Sequence, residues 1–563
     1  MKRFLKILAI IIGVLIILLI ALPFIIDANT FKPKLESELT DALGRPVTVG
    51  NLSLSLLSGG VSADNIAIAD DPQFSKAPFV QAKSLKVGVE MIPLIFSRTI
   101  NVTELTLENP QISLVKSEDG QKWNFSSLGT KPGTSVTAPS EPAAEKTAPA
   151  SSPKSSRAAA NSKPPATAPA SEAAASTPAA APNLSVTKLN VKDGRLTVSR
   201  ADSTQKERIY DKVNIEITNF SFTSSFPFQM TADLPAGGSL KLTGNAGPIN
   251  IGDAARTPLQ AQINVQKMNL ATSGFIDPAA GIAGFANLDG NLASDGREAK
   301  VNGKLTVANL QVVQKGSPAG RPVDITFAAV HNLVKQTGEL TQGDVAMGKA
   351  VAHLTGTYDA HGKVTSVNLK LNGQGMPVDD LEAMLPAVGV VLPPKATLKG
   401  GDLNVTTDST GPVNDLVTTG NVKLENTQLA NFNLGSKMSA ISALSGKNTG
   451  NDTTIQNFSS DVRTSPQGTV AQNINLTVPA IGVLTGAGTV SPSNELAFKM
   501  NAQVGGMGIP FAVQGTASDP KFTPDVKGLA TGLLQNALSN KGNTNQQNPL
   551  NNVMGLFKKP PKK

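Results

Sequence analysis

Alternation of apolar and polar residues recurs along most of this 563-residue chain. It is clearest where Leu52, Leu54 and Leu56 are separated by Ser53 and Ser55. Successive side chains of a β-strand point to opposite faces of a sheet, so this period predicts strands with one apolar and one polar face. Because such segments follow one another with few helical patterns between them, we expect a mainly β protein.

The N-terminal segment 7–26 is a run of twenty apolar residues without a charge. At about 1.5 Å of rise per residue, a helix of this length crosses the roughly 30 Å hydrocarbon core of a bilayer. A cleavable secretory signal has an apolar region of only about 7–15 residues. We therefore predict one N-terminal transmembrane helix that stays as an anchor. Its apolar residues are Ile7, Leu8, Ile10, Ile11, Ile12, Val14, Leu15, Ile16, Ile17, Leu18, Leu19, Ile20, Leu22, Phe24, Ile25 and Ile26.

Charges on either side of this anchor predict its orientation. Lys2, Arg3 and Lys6 precede it, and Asp27 follows it. Positively charged flanks stay in the cytoplasm, so we expect residues 1–6 there and the rest of the chain exported, in a single-pass arrangement.

Short helices are predicted at several places. Phe31, Leu35, Leu39 and Leu43 recur every fourth residue up to Gly44, which is typical of an amphipathic helix ended by a glycine. We expect this helix to pack on the first strands rather than to lie on a membrane surface. Other segments with helical spacing are 378–385, 434–444 and 526–538.

Two turns are predicted within the strand patterns. Asn109-Pro110 breaks the alternation between residues 105–107 and 112–114. Asp193-Gly194 lies inside residues 189–198 and can supply the positive φ angles of a type I′ turn, so a hairpin is predicted there.

Residues 131–182 interrupt the strands, since they are almost entirely Ala, Pro, Ser, Thr and Lys. A segment of this composition cannot bury a core and is predicted to be a disordered insertion. The predicted domains are a cytoplasmic N-terminus (1–6), the transmembrane helix (7–26), an N-terminal β module (27–130), the insertion (131–182), the main β region (183–525) with a C-terminal part from about 370, an amphipathic helix (526–540) and a disordered basic tail (541–563).

Composition excludes several classes of function. The net charge of +8 comes mostly from the two ends of the chain, so the body is close to neutral and no nucleic-acid partner is expected. The chain has no cysteine, which excludes disulfides, thiolate metal sites and cysteine nucleophiles. The terminal charges are Lys2, Arg3, Lys6, Lys558, Lys559, Lys562 and Lys563.

The sequence contains no recognisable catalytic motif, whether a Walker loop, H-E-x-x-H or G-x-S-x-G. His353 and His361 are eight residues apart without a third ligand nearby, so they are interpreted as strand or surface histidines. Asp379 and Asp380 open a short helix, where capping explains them better than acid–base catalysis. We therefore expect a protein that is not an enzyme and that has no cofactor.

Strands with one apolar face must cover that face, and few helices are predicted to do so. A second sheet, curling into a groove or barrel, or bound lipid would each provide the cover. The periodicity leaves these alternatives open. An outer-membrane barrel is rejected, because aromatic residues are only 4% of the chain and the N-terminal span is predicted to be retained.

Several strings of residues resemble those of the AsmA family. They are the anchor and helix leading into Gly44-Arg45-Pro46-Val47-Thr48-Val49-Gly50, the strand pair Leu105–Leu114 leading into Asp119-Gly120-Gln121-Lys122-Trp123-Asn124-Phe125, and Phe511–Val513 followed by Gly515-Thr516-Ala517-Ser518-Asp519-Pro520-Lys521-Phe522-Thr523-Pro524-Asp525. The resemblance implies a long curled antiparallel sheet, a taco-like open groove related in style to chorein-type bridge-like lipid transfer proteins. It also implies an inner-membrane anchor, a periplasmic body and no catalytic residues.

Two functions are compatible with this resemblance. The first is transport of phospholipid along an apolar β-groove between inner and outer membrane, in outer-membrane biogenesis or integrity. The alternative is a non-enzymatic scaffold or assembly factor for outer-membrane or other envelope proteins. The expected partners are the inner membrane and phospholipid acyl chains. Candidate groove-lining residues are Leu85, Val87, Val89, Leu189, Val191, Val213, Ile215, Ile217, Leu305, Val307, Leu369, Leu371, Val422 and Leu424.

Overall fold

The computed structural model describes residues 28–55, 60–90, 102–129, 185–201, 207–276, 278–362, 364–439, 441–442, 450–504 and 507–525. The predicted anchor, insertion, C-terminal helix and basic tail lie outside these residues. Within the described ranges, no helix is both long and apolar enough to cross a membrane.

Strands dominate the described chain. They are β1 (Val47–Thr48), β2 (Leu52–Ser55), β3 (Gly60–Ala69), β4 (Pro78–Val89), β5 (Val102–Glu108), β6 (Gln111–Lys116), β7 (Ser185–Arg200), β8 (Arg208–Ser221), β9 (Phe226–Asp233), β10 (Ser239–Ala246), β11 (Leu259–Asn269), β12 (Ala283–Ser294), β13 (Glu298–Gln311), β14 (Val323–Asn332), β15 (Thr337–Met347), β16 (Ala350–Asp359), β17 (Ser366–Pro377), β18 (Thr397–Lys399), β19 (Asp402–Pro412), β20 (Val417–Ala430), β21 (Thr453–Ser465), β22 (Gly468–Val478), β23 (Gly482–Val490), β24 (Glu495–Val504), β25 (Met507–Thr516) and β26 (Asp519–Pro524).

Helices are few and short. The α-helices with described bounds are α1 (Lys32–Leu43), α2 (Val378–Leu381) and α3 (Leu434–Lys437), and 3₁₀ turns are Ala28–Phe31, Asn124–Ser127, Ala254–Arg256, Pro278–Ala280 and Glu382–Met384. The prediction of a mainly β protein with a few short helices is confirmed. The helical spacing at 378–385 corresponds to α2 and the 3₁₀ turn after it, and α3 begins at the start of 434–444.

All 26 of these strands belong to one curled sheet, so no second sheet covers it within the described residues. Chain neighbours pair antiparallel from β7 to β17 and again from β19 to β26. The prediction of an antiparallel sheet is wrong at one place, because β7 pairs parallel with both β5 and β6. Parallel neighbours need a crossover of a dozen or more residues, and the long connection from β6 to β7 provides that length.

The predicted hairpin at 189–198 is also wrong, because β7 runs through it as one strand. Asp193 has a φ of +55°, but this conformation forms a bulge against β8 rather than a turn. Asn109 lies between β5 and β6, the two strands that pair with β7, and has a φ of +48°. The Asn109 Nδ2 donates to Asp193 Oδ2 at 3.2 Å, so the predicted break and the bulge form one shared kink.

Helix α1 packs on the first strands, as predicted. Leu35, Leu39 and Leu43 contact the buried cluster that contains Val47. The helix ends at Leu43 and is followed by Gly44, whose φ of +67° is the left-handed conformation that glycine adopts without strain. This helix therefore covers one end of the sheet.

The two long edges of the sheet differ. We call loop rim the edge where β11–β12, β13–β14, β17–β19 and β20–β21 are connected, since α2, α3 and the longer loops lie there. We call turn rim the opposite edge, where β12–β13, β14–β15, β16–β17 and β19–β20 are joined by shorter connections. The buried clusters of β10–β26 lie toward the loop rim, for example around Val307, Ala387 and Ile441.

Candidate functional site

The apolar side chains of the sheet lie in register along one face, here called the inner face. One row runs strand by strand from β4 to β14, and a second runs from β4 to β17. The first row is Leu85, Leu107, Val191, Ile215, Met230, Leu242, Ile263, Gly290, Gly303 and Phe327. The second is Val87, Leu105, Leu189, Ile217, Phe228, Gly244, Ala261, Leu292, Val301, Ala329, Leu340, Gly356 and Leu369.

Away from the loop rim the inner face is only half-buried. Strands β10 and β19 consist only of exposed and half-buried residues and contain no buried residue. Leu369 is half-buried, whereas its neighbour Asn368 on the outer face is exposed. A second layer packed on the sheet would bury such a leucine, so this part of the apolar face remains accessible.

The candidate lining residues fall into two groups by burial. Leu85, Val191, Val213 and Val307 are buried, and all of them except Val191 belong to hydrophobic clusters. Val307 packs beneath the loop rim with Val323. The others are half-buried on the strands of the inner face: Val87, Val89, Leu189, Ile215, Ile217, Leu305, Leu369, Leu371, Val422 and Leu424.

Close approach of neighbouring strands explains the glycines of the inner face. A Cβ on Gly303 would collide with Asp289 O and the Cα of Gly290 on the adjacent strand. A Cβ on Gly488 would collide with the ring of Phe498, which therefore lies over the glycine. Glycine at these positions lets the sheet curl and lets a large side chain lie flat on it.

The second apolar row ends at Leu369 on β17, and polar residues follow it in register on β19 and β20. Leu369 is followed in register by Ser409 and Thr418, whose hydroxyls lie 2.8 Å apart. On the same strands, a register line nearer the loop rim is apolar, since Val405 of β19 pairs with Val422 of β20. Hydroxyl groups therefore border the apolar part of the inner face on β19 and β20.

The polar residues singled out in the sequence lie away from the inner face. His353 Nδ1 lies 2.7 Å from Asp344 Oδ1, and both side chains are on the outer face. Asp379 accepts a hydrogen bond from Gly400 N, and Asp380 accepts one from Lys349 N, so these carboxylates tie loop-rim segments together. In the described part of the chain, no three His, Asp or Glu side chains are grouped as metal ligands.

Comparison with protein families adds to this geometry. The AsmA family model matches residues 1–315, more than half of the 563 residues. The chain belongs to the AsmA family. The resemblance seen in the sequence is thereby confirmed. No curated protein and no solved structure matches the chain.

Membership of the AsmA family supports a broad role in the lipid-related functions of the cell envelope and its outer membrane. The matched residues include β1–β13, and therefore the first apolar row up to Gly303 and the second up to Val301. The string at 511–525 lies outside the match.

The AsmA-like strings near the N-terminus meet in one buried polar network. The Arg45 guanidinium pairs with Asp70 at 3.3 Å and also donates to the backbone oxygen of Asn124. The Asn124 Nδ2 donates to both Asp70 oxygens at 3.0 Å and to Ser113 O at 2.8 Å. Burial lowers the pKa of Arg45, and Asp70 and Asp71 oppose that shift. This role of Asp70 could not be predicted from the sequence, because Asp70-Asp71 before Pro72 indicates only a turn.

The end of β6 and β7 reaches the turn rim of distant strands. Lys116 Nζ donates to Gln336 Oε1 at 2.9 Å, and the Gln121 Nε2 lies 3.3 Å from His361 Nε2. Arg200 also donates to Gly362 O at 3.4 Å. The curl of the sheet thus brings the AsmA-matched strands against the turns of β14–β17.

Proposed function

We propose that this AsmA-family protein carries phospholipid between the inner and outer membranes along the inner face of its sheet. The supporting observation is the pair of apolar rows, continuous in register and only half-buried away from the loop rim. Contiguous accessible apolar surface marks sites for lipid or for another apolar partner.

The energetics suit acyl chains. Each CH₂ removed from water contributes about 0.8 kcal/mol, so an acyl chain lying on the inner face is held strongly. The headgroup stays in water because the face is open toward the turn rim. Movement from one row of side chains to the next keeps the chain covered, so transfer needs no covalent step and no catalytic residue.

The length of the sheet is appropriate for such a path. Strands of a sheet lie about 4.8 Å apart, so this ladder extends roughly 100 Å from its first strand to its last. The predicted anchor at 7–26 would hold the N-terminal end at the inner membrane. Ala28, two residues after that segment, is buried in the cluster beneath α1, so the first strands would start at the membrane surface.

Photo-crosslinking in cells tests the proposal. A photo-reactive amino acid is placed at Leu369 on the inner face and, in a matched variant, at Asn368 on the outer face. We expect phospholipid adducts from position 369 and few from position 368, measured by mass spectrometry. Equal adducts, or none at either position, would overturn lipid carriage.

The scaffold hypothesis makes a different prediction for the same experiment. A scaffold for outer-membrane proteins would give protein adducts without an excess of lipid at position 369. The half-buried inner face favours lipid, because protein docking on strands usually uses an exposed strand edge.

A further inference from the structure

Two cations border one small space where β6 and β7 end. A Cβ placed on Gly120 would lie 3.5 Å from Arg200 Nη2 and 3.8 Å from Lys116 Nζ. Gly120 has a φ of +71° and is buried, so the turn of residues 117–121 brings its backbone close to both groups. Arg208 follows at the start of β8, with its guanidinium 5.0 Å from the Phe275 ring centre.

Each of these cations takes a neutral oxygen in the structure. Lys116 donates to Gln336 Oε1, Arg200 to the backbone oxygen of Glu118 at 2.6 Å, and Arg208 to Gly274 O at 3.2 Å. The carboxylate that acts on Lys116 and Arg200 is that of Asp119. Asp119 accepts hydrogen bonds from the Ser117 hydroxyl at 2.5 Å and from Gln121 N at 3.0 Å.

The electrostatics agree with an excess of positive charge. Burial lowers the pKa of the Lys116 ammonium. The positive charges of Arg200 and Arg208 lower this pKa further, and the carboxylate of Asp119 opposes the shift. Burial also lowers the pKa of His331, and Lys116 adds to that effect. A bound anion would relieve this repulsion.

The cations lie beside the apolar rows of the inner face. His331 and Tyr358 belong to an inner-face row at the turn rim, in register with Gly338. Their rings are stacked with centres 5.7 Å apart, and the Tyr358 hydroxyl lies 3.1 Å from His331 Nδ1. Lys116 donates to Gln336 in the turn between β14 and β15, and Arg200 donates to Gly362 O in the turn between β16 and β17, so the basic cluster lies at the same corner of the sheet as the two rings.

We propose that Lys116 and Arg200, flanked by Arg208, form a phosphate-binding site that takes the headgroup of a phospholipid whose acyl chains lie on the inner face. The choice of a lipid as source of the phosphate rests on the proposed function. Arginine and lysine form strong charge-assisted hydrogen bonds with phosphate oxygens.

Binding of fluorescent phosphatidylglycerol and of diacylglycerol with the same acyl chains to the full-length protein in detergent tests the site. Wild type should bind phosphatidylglycerol about tenfold more tightly, as expected for charge-assisted hydrogen bonds. The double variant Lys116→Gln/Arg200→Gln should lose that preference and keep its diacylglycerol affinity. The control Lys241→Gln/Lys304→Gln removes the same charge from the outer face and should behave as wild type.

Two further variants and one further probe make each outcome decisive. Lys116→Arg and Arg200→Lys keep the charge, so they should retain most of the preference, with thermal unfolding checking the fold. An unchanged preference in the Gln double variant overturns the site but leaves lipid carriage intact. If wild type binds neither lipid, the proposed function fails. Inorganic phosphate bound by wild type and not by the double variant would then assign the site to free phosphate, and no phosphate binding would overturn the site too.

Discussion

The guanidinium of Arg45 lies 3.3 Å from the carboxylate of Asp70, with side-chain exposures of 5% and 0%. Each oxygen of the same carboxylate accepts a hydrogen bond from the Asn124 amide. This pair therefore joins the chain just after α1 to the turn after β3 and to the segment after β6. It fixes the first strands, on which α1 packs and from which the apolar rows begin.

Loss of the arginine should destabilise the protein strongly. Arg45→Met leaves Asp70 as a buried charge without its cation, which costs about 3–5 kcal/mol. Urea unfolding measures the change. The exposed pair Lys86–Glu108, with exposures of 56% and 31%, provides a control, since Lys86→Met should cost less than about 1 kcal/mol. Equal effects of the two substitutions would contradict the role of the buried pair.

A methyl group on a tightly spaced inner-face glycine should disturb the curl of the sheet. Gly303→Ala forces the β12 backbone away from β13 and is expected to cost about 1–3 kcal/mol. Gly450→Ala is the matched control, because a Cβ there meets nothing within 4 Å. Unfolding midpoints in urea compare the two, and an unaffected Gly303→Ala protein would show that the strands are not so closely spaced.

Stability should fall as the pH drops from about 7.5 to about 5.5. Burial and Lys116 lower the pKa of His331 below its ordinary value of 6.5. The unfolded chain therefore takes up this proton at higher pH than the folded chain, and stability decreases as pH falls through 6.5 toward the folded value.

The variant His331→Gln should reduce that decrease, as measured by urea unfolding at both pH values. Carboxylates with a lowered pKa, such as Asp380 and Asp461, contribute at lower pH, because their ordinary value is 3.8. A decrease of the same size in wild type and His331→Gln would exclude His331 as its cause.

A charge on the accessible part of the inner face should block lipid movement. Leu369→Asp places a carboxylate in the apolar row, and desolvation of that charge opposes passage of an acyl chain. We expect transfer of phospholipid between vesicles to fall about tenfold or more, since each 1.4 kcal/mol changes a rate tenfold. Asn368→Asp on the outer face should transfer lipid as wild type does, and equal rates for both variants would contradict the proposed path.

Much of the fold follows from local sequence patterns. Alternation identifies the strands, and the four-residue spacing ending at Gly44 identifies α1 and its packing face. The hairpin prediction at Asp193-Gly194 failed because a positive φ serves a bulge as well as a turn. Only pairing with β5 and β6, separated from β7 by a long connection, distinguishes the two.

Burial of the candidate lining residues depends on distant segments and so could not be predicted. Leu305 and Val307 are two residues apart in β13 and therefore lie on the same face. The loop before β14 nevertheless covers Val307 and leaves Leu305 half-buried. The Arg45 network and the cluster of Lys116 with Arg200 likewise join residues far apart in the sequence. Their residue types alone indicate only turns and surface charges.

The central claim, that phospholipid acyl chains occupy the inner face, is tested most directly by the lipid that remains bound to the purified full-length protein. Native mass spectrometry should find stoichiometric phospholipid on wild type and on Asn368→Asp, and less on Leu369→Asp. Lipid held only by the predicted anchor would be the same in all three proteins. Phospholipid that is absent from wild type, or unchanged by Leu369→Asp, would contradict the claim.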